Sequence, residues 1–166
     1  MLRERITRLG RHENLIPFDM LDIDGSTRAA EAAKKLERLY HQGQERAWVG
    51  SEILDELVAR HGAPSLPPAK ADAMRQVLAV ILWGELAAWK VSALLAARLE
   101  PLGAKMAATA QVHDEARHFY VMHDYLAYIG EVPKNLGKKT QTFLERVLLA
   151  DHDAKLLLGM QLVVEP

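Results

Sequence analysis

The sequence predicts an all-α protein, an antiparallel helical bundle organised around one long central hairpin. Apolar residues recur at helical spacing through 77–99 and again through 104–128, and Pro101 and Gly103 interrupt the chain between these segments. No segment of any length alternates with the period of a β-strand. Shorter helical segments precede the hairpin and one apolar segment follows it. We therefore expect extra N-terminal helices, the hairpin, and an incomplete third core helix.

The composition is that of an ordinary globular chain. Its 166 residues are enough for one domain with a hydrophobic core, and 49% are hydrophobic while 26% are charged. A net charge of −1 gives no reason to expect nucleic acid or an anionic membrane surface as a partner. The chain has no cysteine, which excludes disulfides, thiolate zinc sites and iron–sulfur clusters. Any metal must be held by oxygen and nitrogen atoms.

Two features of the sequence bear on its location. The N-terminal stretch MLRERITRLGRHEN lacks the apolar core of a signal peptide, so we expect a cytoplasmic protein. The apolar segment 77–88 is interrupted by Glu85 and flanked by Arg75 and Lys90, and we predict that it is too short to span a membrane. It is expected to be a buried bundle helix.

An N-terminal extension and linker are predicted over residues 1–68, ahead of a core over 69–166. Loop or a short helix is expected up to about residue 25, and then an amphipathic helix over 27–46, capped by Asp24 or Ser26. On this polar helix Glu37 and His41 are expected to form a solvated pair. Ser51 is predicted to cap a short helix that ends at Gly62, before a proline-rich linker.

The central hairpin is predicted over 69–129 and ends where Gly130 and Pro133 interrupt the helical pattern. A short helix is expected from Thr140, and Asp151 is predicted to cap the last apolar helix. The neighbouring His152 and Asp153 are explained by capping and by the helix dipole.

Both arms of the hairpin carry polar groups on apolar faces. Glu85 shares a face with Leu78 and Ile81, while Glu115 and His118 are three positions apart and project from one face of the second arm. Burying an ionised carboxylate costs several kcal/mol unless a partner charge, hydrogen bonds or a metal compensates. We therefore expect these three groups to share one partner that compensates their burial.

The depths of these groups also agree. Glu85 lies 16 residues before Pro101, about 24 Å of helix, and Glu115 lies 12 residues after Gly103, about 18 Å. An antiparallel hairpin would bring both carboxylates to nearly the same level. In the last helix Glu165 lies 14 residues after its predicted start, about 21 Å, again on an apolar stripe.

A Glu on one helix, a Glu-x-x-His on the next and a further Glu on a third resembles the ferritin-like superfamily of di-metal carboxylate proteins, in its ribonucleotide-reductase-like and oxygenase-like branch. The resemblance implies a four-helix bundle and two iron ions, or manganese and iron, bridged by a carboxylate. It implies Glu85 and Glu165 as terminal ligands, Glu115 as the bridging ligand and His118 as the imidazole ligand. Asp114 resembles the group that hydrogen-bonds a ligand histidine of the facing helix.

The chain departs from this family in one respect, because it contains no second Glu-x-x-His. We expect either that it is the N-terminal part of a longer protein or that a homodimer completes the site with two hairpins. The alternative is that these residues bind no metal. Glu85 could then be a buried acid paired with Lys90 or Arg117, and a single Glu-x-x-His is common on helices by chance. The conjunction of matched depths and three inward acids favours metal.

Other candidate groups have simpler explanations. His113 and His123 point away from the face of Glu115 and His118 and are not expected to bind metal. The aromatic residues of the hairpin are expected to be core packing.

Three functions remain open at this stage. The first is an oxidoreductase or oxygenase that uses O₂ and an unidentified small molecule. The second is an iron-oxidising or peroxide-scavenging homodimer, and the third is a non-catalytic helical module.

Overall fold

The structure, a computed structural model, describes residues 22–160, and this part of the chain contains α-helices and no β-strand, which confirms the predicted all-α class. The chain order is α1 (Ile23–Ala32), α2 (Lys34–Glu45), α3 (Gly50–His61), α4 (Pro68–Arg98), α5 (Leu102–Ile129), α6 (Lys138–Leu148) and α7 (Asp153–Gly159).

The predicted hairpin is present as α4 and α5, the two longest helices, which contact each other extensively. Pro68 occupies the first position of α4, where its fixed φ favours a helix and its missing N–H is not needed. Lys105 satisfies the last turn of α4, because its Nζ donates to the carbonyls of Ala96 at 2.9 Å and Ala97 at 2.8 Å. Gly130 ends α5 with a φ of 141°, which favours glycine.

Gly103 has a different role from the one predicted. It lies inside the first turn of α5 and is buried, and a Cβ there would collide with the Cβ of Ala33. Ala33 itself separates α1 from α2, so the helix predicted over 27–46 is two helices. Gly103 therefore serves a close approach between α5 and the α1–α2 junction.

The N-terminal caps also differ from the predictions. Asp22 caps α1, because its Oδ1 accepts a hydrogen bond of 2.8 Å from the N–H of Gly25, whereas Asp24 lies within the helix. The side chain of Ser26 is not among those that the structure describes. Ser51 does not cap α3, which begins one residue earlier, after Val49, without a side-chain cap.

The last described helix has an imidazole cap rather than the predicted aspartate. His152 Nδ1 accepts a hydrogen bond of 3.1 Å from the N–H of Ala154. Asp151 instead pairs with Lys155 at 2.6 Å, which holds the pKa of this exposed carboxyl below its ordinary value. Gly62, by contrast, ends α3 as predicted, with a φ of 81°.

The other helices pack on opposite arms of the hairpin. Helices α1, α2 and α3 contact α5, while α6 and α7 contact α4. Arg98 at the end of α4 forms an ion pair of 3.2 Å with Asp153 at the start of α7. The larger hydrophobic cluster lies among α4, α5, α6 and α7 and contains Ala87, Ala88, Val91, Leu95, Ala108, Leu144, Val147, Leu156 and Met160.

The two halves of α4 differ in burial. Its second half is covered by α6 and α7, whereas its first half exposes apolar side chains, with Val77 at 60% and Ile81 at 41%. The segment 77–88 was predicted to be too short to span a membrane. The observed helix α4 is longer, and by length and composition it could cross one. Of the 18 residues in its most apolar stretch, 33% are buried inside the protein.

Candidate metal centre

The hairpin brings three of the predicted site residues together. Glu85 lies near the middle of α4, and Glu115 and His118 lie near the middle of α5. One ligand atom from each residue lies within 4.8 Å of the others. Within residues 22–160 this is the one group of three or more acidic or imidazole side chains with such spacing. The matched depths therefore predicted a real proximity.

The imidazole of His118 points its Nδ1 at both carboxylates. Nδ1 lies 3.2 Å from Oε2 of Glu115, within hydrogen-bond range, and 3.4 Å from Oε2 of Glu85, within ion-pair range. The contact with Glu115 follows from the spacing of three positions on one helix. The contact with Glu85 joins the two arms of the hairpin.

Glu115 is the most deeply buried charged group of the described chain, with 5% of its surface exposed. Its Oε1 accepts a hydrogen bond of 3.2 Å from Nε2 of Gln111, one turn earlier on α5. Burial alone would raise the pKa of Glu115, but the hydrogen bonds from His118 and Gln111 outweigh it and hold the pKa below 4.5. Glu115 is therefore an ionised carboxylate in the core.

His118 is held in its charged form by its neighbours. The hydrogen bond to Glu115, and then the contact with Glu85, raise the pKa of His118 to about 10, against the opposing effect of burial. Its side chain is nevertheless 44% exposed. The centre is thus buried on the side of the carboxylates and open on the side of the imidazole.

Glu85 is left incompletely satisfied. Its Oε2 is buried and makes no hydrogen bond within the described residues, and its contact with Nδ1 of His118, at 3.4 Å, is an ion pair. The alternative partners suggested by the sequence do not supply a hydrogen bond, because Lys90 is exposed and Arg117 pairs with Asp114 instead. A buried carboxylate oxygen without a hydrogen bond is costly, and a cation close to it reduces that cost.

Trp48 is a neighbour of this centre that sequence reasoning missed. It lies in the connection between α2 and α3, and its indole stacks on the imidazole of His118 with the ring centroids 6.0 Å apart and the planes at 23°. The guanidinium of Arg117 lies 4.9 Å from the centroid of the same indole. No periodicity marks a loop residue, so the one available signal was a tryptophan two residues before Gly50, after a polar stretch.

Asp114 has a different partner from the one that the resemblance implies. Its Oδ1 accepts a hydrogen bond from Nη2 of Arg117, three positions along the same helix. The facing helix α4 contains no histidine that it could orient. In this structure Asp114 neutralises the cation that lies over Trp48.

The remaining candidates lie elsewhere or outside the described residues. Glu165 lies in 161–166, outside the residues that the structure describes, so its role as a terminal ligand stays a prediction. His113 is exposed, and His123 pairs with Asp124 at 3.1 Å on a different face of α5. Glu37 and His41 form the expected solvent-facing pair, at 3.6 Å.

The donor set suits a divalent cation. Two carboxylates and one imidazole provide hard oxygen and borderline nitrogen ligands, which Mn(II), Fe(II) and Zn(II) accept. The three side chains can hold one ion within residues 22–160, and a second ion would need further ligands. Three cavities, one beside Trp83 and Leu148, one beside Arg75 and Glu131 and one beside Leu57 and Tyr128, do not include the cluster.

No protein family, curated protein or solved structure matches this chain. The chemical interpretation of Glu85, Glu115 and His118 therefore depends on their geometry and on the sequence pattern.

Proposed function

We propose that this chain is a metal-dependent oxidoreductase of the carboxylate type, in which Glu85, Glu115 and His118 hold Fe(II) or Mn(II) and O₂ is a co-substrate. The observation that supports the proposal best is the buried Oε2 of Glu85, which makes no hydrogen bond and lies 3.4 Å from Nδ1 of His118, in a group whose three ligand atoms are within 4.8 Å of one another. The sequence resemblance to di-metal carboxylate proteins points to the same chemistry.

A cation relieves the two electrostatic problems of this centre together. It would bring a second positive charge to Oε2 of Glu85, which makes no hydrogen bond and lies 3.4 Å from Nδ1 of His118, and it would take the place of the proton that His118 carries between the carboxylates. The positions of the ligand atoms are already close to one another, so little reorganisation is needed.

The chain's own side chains then have separate tasks. Gln111 holds Glu115 through a hydrogen bond, and the surrounding apolar residues of α4 and α5 limit the access of water. The exposed edge of His118 is the side from which small molecules can approach. A redox-active metal bound here would supply the electrons for reduction of O₂, and the protein would bind and orient an unidentified small-molecule substrate.

The number of metal ions depends on ligands beyond the described residues. The family resemblance implies two ions bridged by Glu115, whereas Glu85, Glu115 and His118 suffice for one. Glu165, which lies outside the described range, is one further candidate ligand. A second copy of the chain is the other source, since two hairpins would contribute two complete sets.

A homodimeric ferroxidase or peroxide-scavenging protein is the second candidate function. It is favoured by the 44% exposure of the His118 side chain and by the exposed apolar residues on the first half of α4, one turn from Glu85. Such a protein would turn over Fe(II) without an organic substrate and would dimerise when metal is added. A non-catalytic helical module is the remaining alternative and predicts no metal uptake.

The proposal is tested by metal uptake. The chain should be titrated anaerobically with Fe(II) and Mn(II), with elemental analysis after gel filtration and with oxygen consumption measured on exposure to air. We expect at least one tightly bound ion per chain and loss of uptake in Glu115→Gln and His118→Gln. Elemental analysis and the molecular mass together separate a monomeric centre from a dimeric one.

Two control variants match the ligands closely. His123→Gln removes an imidazole of similar exposure, 46% against 44%, from the same helix. Glu145→Gln removes a carboxylate that accepts a hydrogen bond from Gln141 in the spacing that links Glu115 to Gln111. Both controls should bind metal as the parent chain does. Equal uptake by His118→Gln and His123→Gln, or no uptake by the parent, would refute the proposed site.

A further inference from the structure

The loop between α2 and α3 places an aromatic ring on the proposed centre. Helix α2 ends at Glu45 and α3 begins at Gly50, so Trp48 lies in a short connection that crosses α5. A Cβ at Gly50 would lie 3.0 Å from Cβ of Val121 and 3.4 Å from Cζ3 of Trp48. The glycine therefore lets the loop approach α5 closely enough for the indole to reach the imidazole.

The indole contacts two consecutive side chains of α5. Its ring stacks on His118, and the guanidinium of Arg117 lies over it at 4.9 Å, within the range of a cation–π interaction. Arg117 is anchored in turn by its ion pair with Asp114. Trp48 is thus restrained by groups on the same helix that carries two of the proposed ligands.

This contact has a consequence for His118. A side chain that is 44% exposed would ordinarily sample several ring orientations, and each would move Nδ1 relative to the carboxylates. A flat aromatic surface against the imidazole restricts those orientations, so the ligand atom stays 3.2 Å from Glu115 and 3.4 Å from Glu85. Restraint of a ligand before the metal arrives reduces the entropy lost on binding.

We infer that Trp48 is a positioning residue of the metal centre, which holds the imidazole of His118 toward Glu85 and Glu115 by stacking and not by coordination. The inference rests on the proposed metal site. It also makes Trp48 an optical reporter, because a paramagnetic ion bound by His118 would lie close to the indole and quench its fluorescence.

Two substitutions at Trp48 test whether the flat aromatic ring, as opposed to an apolar side chain in general, positions His118. Trp48→Phe keeps an aromatic face, whereas Trp48→Leu keeps an apolar side chain without one. We expect Trp48→Phe to bind Co(II) nearly as tightly as the parent, and Trp48→Leu to bind at least about tenfold more weakly, as is typical when a neighbour that orients a ligand is lost. The visible absorption of Co(II) should change in Trp48→Leu, because the altered ligand geometry changes the spectrum.

Trp89 provides a matched control on the same hairpin. Its ring packs against Phe119 and Tyr120 at centroid distances of 6.1 and 6.2 Å. Trp89→Leu therefore removes a tryptophan that packs on α5 without touching His118, and it should leave the Co(II) affinity unchanged. Far-UV circular dichroism checks that each variant retains its helices.

Fluorescence supplies a readout that does not depend on Trp48→Leu folding. Co(II) should quench part of the parent's tryptophan emission, and this quenching should be clearly smaller in Trp48→Phe, which keeps Trp83 and Trp89 near Glu85, while the metal still binds. Equal Co(II) affinity and equal spectra in the parent and Trp48→Leu, or equal quenching in the parent and Trp48→Phe, would overturn the inference. Absence of Co(II) binding by the parent would instead refute the proposed metal site itself, together with the role of Trp48 in it.

Discussion

Glu85 on α4 and His118 on α5 meet at 3.4 Å, from Oε2 to Nδ1, although neither arm of the hairpin dictates this contact by itself. The level at which the two helices pack determines it. Because the same imidazole also contacts Glu115, a single protonated ring bridges two carboxylates from different helices. Because of this arrangement, we expect replacement of Glu85 and replacement of Glu115 to change the stability of the protein differently.

Replacement of Glu85 should separate stability from metal binding. Its Oε2 is buried without a hydrogen bond, so Glu85→Leu removes a desolvated acceptor together with its 3.4 Å ion pair to His118, while His118 keeps its hydrogen bond to Glu115. We expect the metal-free variant to be as stable as the parent or more stable by about 1 kcal/mol. Urea denaturation of both metal-free proteins measures this difference, and metal uptake should be lost.

The matching experiment is Glu115→Leu, which should destabilise the metal-free protein. It leaves the part-buried side chains of His118 and Gln111 without their shared acceptor, and the loss of a hydrogen bond of this kind costs about 1 kcal/mol. If Glu85→Leu proves as destabilising as Glu115→Leu, Glu85 is a structural ion-pair partner and the case for a metal weakens.

The stability of the metal-free protein should depend on pH through this cluster. The pKa of His118 is raised from 6.5 to about 10, so its contribution is complete below pH 6.5 and is lost as the pH rises through about 10. The pKa of Glu115 is lowered from 4.5, so its contribution is complete above pH 4.5 and is lost as the pH falls through the lowered value.

The difference in unfolding free energy between the parent and His118→Gln should therefore be greatest between pH 4.5 and 6.5 and should shrink toward pH 10. Denaturation in urea across this range measures it. His123→Gln serves as the control, because it removes an exposed imidazole outside the cluster. A difference that does not vary with pH would mean that His118 does not carry the proton.

Gly103 should be intolerant of a side chain. A Cβ there would collide with Ala33 where α5 meets the α1–α2 junction, so Gly103→Ala should destabilise the fold by about 1–3 kcal/mol. Gly137 is a suitable control, since it also lies at the start of a helix, has a negative φ of −57° and has open space around its Cα. Thermal unfolding should show a lower midpoint for Gly103→Ala and little change for Gly137→Ala.

The hairpin and the meeting of Glu85 with Glu115 were predictable, because helical rise converts residue counts into depth. The break at Ala33 was not, since no glycine or proline marks it and the helix ends where α5 comes close. The caps at Asp22 and His152 depend on exact helix ends, which periodicity does not define.

The environment of the site was less accessible to sequence reasoning. Trp48 reaches His118 through a loop whose path depends on the packing of α2 and α3 on α5, a tertiary relationship with no local pattern. The partner of Asp114, by contrast, was open to local reasoning, because Arg117 lies three positions away on the same helix and α4 has no histidine. Identifying the contact between Trp48 and His118 required the folded arrangement of the helices.

Metal uptake should release a proton from the centre. The pKa of His118 is about 10 in the metal-free protein, so its imidazole is charged at neutral pH, whereas a metal ligand must be neutral. The apparent affinity should therefore rise about tenfold for each pH unit until the pH approaches 10, because one proton competes with each ion. Calorimetric titrations in buffers with different ionisation enthalpies count the protons released at pH 7. A value near one per ion, and near zero for residual binding to His118→Gln, would assign the proton to His118, while a value near zero for the parent would show that its imidazole does not ligate the ion.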